Sequence, residues 1–471
     1  MNLNDLEHIY FCTGARNCIL LDHFPENKIT FEIDERIASF KALGRTKINQ
    51  TPVAICTTSG TAVSECLSAM IEASYSNLPL VLITGDRPLS LRGTGAPQTV
   101  DHELITRGFR GEYLELTLKE FTTFNFNLLE RAFPLHINVL VGEDAQDEPR
   151  FVMREDYQSL SHFLENKKQP LFLISHESRS IRPVVEKFSE QKVFFYAETL
   201  SHGHDLSAIK TESELLKLFK HDYFDCVVRI GHTPLSKIWR NLEMANLPVF
   251  SLDERGLPGL SHGEVLKKSA QSLLVEPTFW ESLKRFTHPS YMDPSIKLLS
   301  SLIKQYPEAE VSWMEKIHDA LPLNATVFLG NSLVMRNFEL IQTKAFKVYG
   351  NRGVNGIDGQ IATAIGLANS SPDNVYAILG DLTTFYDLSS LMNLPPNLKI
   401  IVINNNGGRI FDVLKLNPKM ILEHGKSFVG IAECFKLRYC LNNLSQINEC
   451  NFMEITPDLN QSHGFVSGWQ A

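Results

Sequence analysis

The chain has no excess of positive charge, no long apolar run and no paired-cysteine motif. Its 45 Lys and Arg are outnumbered by 54 Asp and Glu, and the net charge of −9 argues against nucleic acid or an anionic membrane as its main partner. No apolar run approaches the ~18 residues of a membrane helix, so no transmembrane segment is expected. The opening MNLNDLEHIY carries acidic residues and no basic n-region, and does not read as a signal peptide. Eight scattered Cys without C-x-x-C spacing fit reduced, mostly buried thiols and a cytoplasmic location. The fifteen His show no H-E-x-x-H spacing, which disfavours a transition-metal site. G-x-S-x-G, the Walker A loop and a G-x-G-x-x-G at the first strand are all absent, which removes three common nucleophile and nucleotide sites.

What is present is a repeated α/β pattern. With 43% apolar residues in 471, the chain holds about three domains by length. Short continuous apolar runs alternate with helical stretches, the mark of parallel sheets covered on both faces. The first third reads as strands at His8–Cys12, Lys28–Ile33, Val53–Cys56, Leu80–Ile83 and Leu135–Val141, with a long helix after Thr57–Thr61 and a polar linker, GEDAQDEPR, at the end. The middle reads as strands at Pro170–Ser175, Val193–Tyr196, Cys226–Ile230 and Val249–Leu252; from about Gln271 to Pro307 it reads as helices and connector. The last third resumes with Val327–Leu329, Phe346–Tyr349, Val375–Leu379 and Ile400–Ile403. The expected fold is α/β, three doubly wound parallel-sheet domains at 1–150, 151–295 and 296–471.

One stretch, Asn374–Phe411, concentrates the chemistry. A strand runs into Gly380-Asp381, and the next strand runs into Asn404-Asn405-Asn406-Gly407-Gly408. Ligands of open parallel sheets lie beyond the carboxyl ends of the strands. A carboxylate and an amide oxygen arriving there with a glycine turn suit a Mg²⁺-bound diphosphate. Elsewhere, Glu35 sits between Ile33 and Ile37 in a first helical turn, where a carboxyl group either favours the helix dipole or is held against an apolar cofactor ring. Arg16, Arg87, Lys237, Arg336 and Arg352 lie in or just after strand-end loops. Singly each is most simply a solvated charge; together, in an acidic protein, they point to a polyanionic substrate. Ser332 and Gln98 add neutral hydrogen bonds.

GDL followed by NNNGG resembles the cofactor signature of thiamine-diphosphate-dependent enzymes. Leu382, in place of the usual Gly, is similar to one branch, the menaquinone-pathway synthase of 2-succinyl-5-enolpyruvyl-6-hydroxy-3-cyclohexene-1-carboxylate. GARN, DERIASFKALG, CTTSGTA, LPLVLITGDRP, GAPQ, LHINV, RIGHTPLSK, LGNSLVMR, YGNRGVNGIDG and NNNGGRIF resemble that family in its order, from about Gly14 to Phe411.

The resemblance implies thiamine diphosphate and Mg²⁺ (or Mn²⁺) as cofactors. It implies Asp381, Asn405 and the Gly407 carbonyl as metal ligands, with Gly380, Leu382, Gly408, Ile410 and Phe411 about the cofactor, Ile410 as its bending wedge. It gives Glu35 the catalytic role of hydrogen-bonding the pyrimidine ring. It implies decarboxylation of 2-oxoglutarate and addition of the product to isochorismate, with both acids held by the cations, Ser332 and Gln98. It also implies a homodimer or homotetramer, with Glu35 and Asp381 reaching one cofactor from different subunits.

Departures from the family pattern are Ala15 and Asn17 in the first loop, Pro97 in GAPQ, Ile238 where some members have a second basic residue, Arg409 in GGRIF, and a short C-terminal region. Two rival readings follow: another thiamine-dependent 2-oxoacid lyase or synthase, or a catalytically weakened cofactor-binding relative. Arg352 in NRG and Ser332 with Arg336 in GNSLVMR weigh against the first, and the intact Glu35 and Asp381 against the second.

Overall fold

In the computed structural model, residues 6–108, 111–123, 134–142, 149–236, 238–286 and 293–470 are described. Lys237 and most of the expected linker, 143–148, lie outside the described residues. Three six-stranded sheets organise the chain. The first contains β1 (His8–Cys12), β2 (Ile29–Glu32), β3 (Val53–Thr58), β4 (Leu80–Asp86), β5 (Glu112–Thr117) and β6 (Leu135–Leu140), in the order 2-1-3-4-6-5. The second contains β7 (Val152–Arg154), β8 (Pro170–Ile174), β9 (Phe195–Ala197), β10 (Cys226–Ile230), β11 (Val249–Leu252) and β12 (Glu264–Leu266), in the order 7-12-11-10-8-9. The third contains β13 (Thr326–Leu329), β14 (Lys347–Tyr349), β15 (Val375–Gly380), β16 (Leu398–Ile403), β17 (Tyr439–Leu441) and β18 (Phe452–Ile455), in the order 14-13-15-16-18-17. The outer sheets therefore share one strand order, and all neighbouring strands pair in parallel, for example Val53 with Leu80 and Val375 with Leu398.

Both faces of the outer sheets are buried, as their unbroken apolar runs require. Ile9 and Phe11 of β1 enter one core cluster while Tyr10 and Cys12 enter another. In the third sheet, Val327 and Leu329 face one cluster and Phe328 the opposite one. Strand alternation alone produces this division.

The structure adds strands that the apolar runs did not reveal. β5 alternates charged and apolar residues and is half-buried throughout; β7 is exposed along its length. Both are edge strands, where one side meets solvent and the run signal disappears. β12, β17 and β18 were also unread, although β18 is fully buried. The expected long helix after Gly60 is two helices, Thr61–Glu65 and Leu67–Tyr75. Gly60 itself has φ +98°, and a Cβ there would come within 2.9 Å of Val354 from the third unit. Glycine is needed at this close approach.

Candidate functional site

A cavity of about 280 Å³ opens where the carboxyl-end turns of the first and third sheets meet the loop after β10. Its third-sheet wall starts at Gly380, the last residue of β15, with Asp381 directly after it, and at Asn405, just after β16. Asp381 Oδ1 accepts the Leu382 amide at 2.7 Å, while Oδ2 accepts the Gly407 amide at 2.8 Å and His424 Nε2 at 3.0 Å. A carboxylate has about four lone-pair sites, so these three bonds still leave capacity for a cation. Asn405 Nδ2 donates to Glu310 Oε2 at 2.8 Å, and its Oδ1 is buried with no partner. An amide oxygen left unsatisfied beside a buried carboxylate is costly unless something positive meets it. The donor set of carboxylate and amide oxygen suits Mg²⁺.

The glycines of this turn have distinct reasons. Gly407 has φ +121°, and a Cβ would lie 2.4 Å from the Ile421 carbonyl, so no other residue fits. At Gly380 a Cβ would meet only Thr383 Oγ1 at 3.9 Å, so it would occupy space now open at the cavity wall. Gly408 donates its amide to Ile421 O at 2.6 Å, and Leu382, Ile410 and Phe411 line the same cavity. Arg409, one of the departures, is not a free cation. It donates to the Asn405 carbonyl and pairs with Asp412 and Glu423, bracing the turn.

Glu35 reaches the cavity from the first turn of helix Glu35–Asn49, which Asp34 caps by accepting the Ile37 amide. Thr57 Oγ1 donates to Glu35 Oε1 at 3.2 Å and Tyr386 Oη donates to Oε2 at 3.1 Å. Burial pushes its carboxyl up to about 7, against the smaller opposing pull of those hydrogen bonds. Both protonation states are thus accessible near neutrality. The resemblance had Glu35 and Asp381 approaching from different subunits. Within this one chain both line the same cavity, and Tyr386, on the helix that begins at Asp381, holds Glu35.

Arg16, Arg87, Gln98, Ser332, Arg336 and Arg352 line the same cavity. Arg16 donates to Ser59 Oγ, Gln98 Oε1 and the Pro97 carbonyl, and Arg87 Nε donates to that carbonyl at 2.9 Å. Pro97 therefore positions both arginines through its backbone, which no side chain at that position is needed to do. Asn17 donates to the Cys12 carbonyl from a fully buried position and is a brace of the first loop. Arg352 donates to Asn331 Oδ1 at 2.9 Å, and Arg336 donates to the carbonyl of Ser332, whose φ of +73° is strained for serine. Burial pulls the Arg16 and Arg352 guanidiniums down to about 10, so both stay charged at neutral pH.

Glu310, Tyr386, His424 and Arg240 belong to the site and carried no motif. Glu310 is the informative omission, because its bond to Asn405 Nδ2 turns the Asn405 oxygen the other way. Burial pushes the Glu310 carboxyl up to about 7, with a smaller contribution from the Asp381 charge. Its pKa lies above the ordinary value of 4.5, so folding stability from this group is full below pH 4.5 and lost as pH rises through about 7. Glu310→Gln should therefore show a shallower fall in Tm across that interval than the parent apoprotein. Equal slopes in a calorimetric pH series would mean that Glu310 ionises without penalty.

The chain resembles known proteins along most of its length. The family model described as thiamine pyrophosphate enzyme, N-terminal TPP binding domain, matches residues 1–105. A relative from Bdellovibrio bacteriovorus is 32% identical, covering 91% of this chain and 87% of the relative. Others from Leuconostoc citreum and Akkermansia muciniphila are 29% and 28% identical, covering 87% and 96% of this chain and 82% and 93% of their own lengths. All three are named 2-succinyl-5-enolpyruvyl-6-hydroxy-3-cyclohexene-1-carboxylate synthase. Identity spread over nine-tenths of the chain exceeds what a shared cofactor motif explains, and the chain belongs to the 2-succinyl-5-enolpyruvyl-6-hydroxy-3-cyclohexene-1-carboxylate synthase family of thiamine-diphosphate-dependent enzymes.

Proposed function

We propose that this protein is a C–C bond-forming transferase that decarboxylates 2-oxoglutarate and adds the remaining four-carbon unit to isochorismate. The product is 2-succinyl-5-enolpyruvyl-6-hydroxy-3-cyclohexene-1-carboxylate, a step of menaquinone biosynthesis. The supporting observation is one cavity walled by the buried Glu35 carboxyl group, a cation-ready turn and guanidiniums that include Arg16, Arg87, Arg336 and Arg352. Thiamine diphosphate, when bound, supplies the electron sink that loss of CO₂ requires. Asp381, Asn405 and the Gly407 carbonyl would hold Mg²⁺ or Mn²⁺ on the diphosphate, within a diphosphate-binding unit at about 296–471. Glu35, in a pyrimidine-binding unit at about 1–150, would hydrogen-bond the cofactor's ring nitrogen and exchange a proton there. The unit at about 151–295 closes the cavity with Leu235 and Trp239.

Arg336, Arg352 and Ser332 would bind the first dianion beside the cofactor, and Arg16, Arg87 and Gln98 the second, with Lys237 joining from the middle unit. Burial strengthens each of these charge-assisted bonds and offsets the repulsion between two acids. The direct test is CO₂ release from 2-oxoglutarate with and without isochorismate, thiamine diphosphate and Mg²⁺. Release that ignores thiamine diphosphate would end the proposal. Arg336→Ala should raise the KM for 2-oxoglutarate by about ten-fold or more, the worth of one charge-assisted bond. An unchanged KM would remove Arg336 from the donor site.

A cytoplasmic homodimer or homotetramer is the assembly we favour. Helices of the first unit expose Ile37, Phe40, Ile48 and Ile71, apolar surface of the kind a subunit interface covers. No helix of the described residues is long and apolar enough to cross a membrane. Light scattering of the purified protein decides the assembly.

A further inference from the structure

The middle unit brings its own cation to the cavity. Ile238, beside Lys237, is fully buried in the apolar core and supplies no charge. One turn of the same helix, Ile238–Met244, instead sets Trp239 and Arg240 on the cavity wall. The Arg240 guanidinium lies 5.5 Å from the Trp239 ring centroid, and the Arg87 guanidinium lies 4.6 Å from the same ring. One indole thus orients two cations from two different units.

Arg240 differs from its neighbours in exposure and pairing. Arg16 and Arg87 are half-buried, whereas Arg240 is exposed while still lining the cavity, which puts it at the mouth. Asp86 offsets part of the charge on Arg16 and Arg87. No carboxylate does this for Arg240, among the described residues, and its positive field bears on Arg16, Arg87 and Arg336 alike. Several guanidiniums repelling one another around a cavity are relieved by an anion bound among them.

We infer that Arg240 is a specificity-determining residue that binds a carboxylate of the second, ring-bearing substrate, with Trp239 holding its guanidinium in place. The inference rests on the proposed reaction. In that reaction the donor must lose CO₂ before the acceptor is attacked, so the acceptor arrives last and meets the mouth of an already occupied cavity. Arg240 also shares its indole with Arg87, which groups it by contact with the first-unit cations, whereas Arg336 meets only its field. The cation absent at position 238 is thereby replaced two residues further along the helix.

The test varies both substrates in steady-state assays of the parent, Arg240→Ala and Arg240→Lys holoenzymes, with circular dichroism to verify folding. For Arg240→Ala, the KM for isochorismate should rise about ten-fold or more relative to that for 2-oxoglutarate. Its dependence on ionic strength should flatten, since an exposed charge has been removed. Arg240→Lys should recover part of the loss, because charge returns without the planar fork. Equal rises in both KM values would mark a merely structural role and overturn the inference, as would an unaltered isochorismate KM. If the parent releases no CO₂ from 2-oxoglutarate, the proposed function fails separately. Calorimetric titration of isochorismate and of 2-oxoglutarate into the parent and Arg240→Ala proteins then still decides. Selective loss of isochorismate affinity sustains the inference, and loss of both or of neither overturns it.

Discussion

Glu35→Gln lowers kcat by about 10²- to 10⁴-fold, the usual worth of a positioned general acid–base group. The carboxyl group is buried, held by Thr57 and Tyr386, and poised by burial at about 7. Glutamine keeps the shape and one acceptor oxygen but carries no exchangeable carboxyl proton. The loss should appear in kcat, with a much smaller change in the substrate KM values, because Glu35 faces the cofactor rather than the arginines in the proposed arrangement. Stability should move the other way. Glu35 has a folded pKa above the ordinary 4.5, so its ionised form destabilises the fold as pH rises towards and beyond about 7. At pH 8 the Gln variant should melt no lower than the parent. A kcat within two-fold of the parent in single-turnover assays would take Glu35 out of the mechanism.

Asp381→Ala weakens thiamine diphosphate binding by about a hundred-fold or more and abolishes the dependence of that binding on Mg²⁺. Removing one partner from a buried, charge-assisted arrangement costs several kcal/mol, about 3–5 in comparable cases. Three groups lose their acceptor at once, namely the amides of Leu382 and Gly407 and the ring of His424. General loosening of the turn would also reduce affinity, so the Mg²⁺ dependence is the discriminating measurement. Isothermal titration with and without Mg²⁺ separates the two. If the Mg²⁺ effect persists in the variant, Asp381 is not a metal ligand, whatever happens to the overall affinity.

The sheets and their turns were legible in the sequence where strands are buried on both faces. Val53–Cys56 and Leu80–Ile83 are such runs, and both belong to central strands of the first sheet. The edge strands β5 and β7 were not, because each has a solvent side and no continuous apolar run. Asp381 and Asn405 stood out as candidates because each lies at the end of a buried strand, and Glu35 through the family resemblance in DER.

Glu310 and Tyr386 left no local mark. Glu310 lies 95 residues before its partner Asn405, and Tyr386 lies 351 residues after Glu35. A window of sequence has no term for such contacts, and neither residue type is unusual in a helix. Arg409, marked in the sequence only as a departure in the glycine turn, is held by Asn405, Asp412 and Glu423, partners that the turn itself does not announce.

By itself the sequence determined the parallel α/β class, the strand-end turns and the chemistry of the Gly380–Gly408 stretch, because each depends on neighbours within a few residues. Tertiary structure alone decided which way the Asn405 amide faces, how far burial raises the Glu35 carboxyl, and that Glu35 and Asp381 of one chain share a cavity. It also decided that the middle unit offers Arg240 rather than residue 238. These depend on desolvation and on contacts between distant segments, which exist only once the three sheets have packed together.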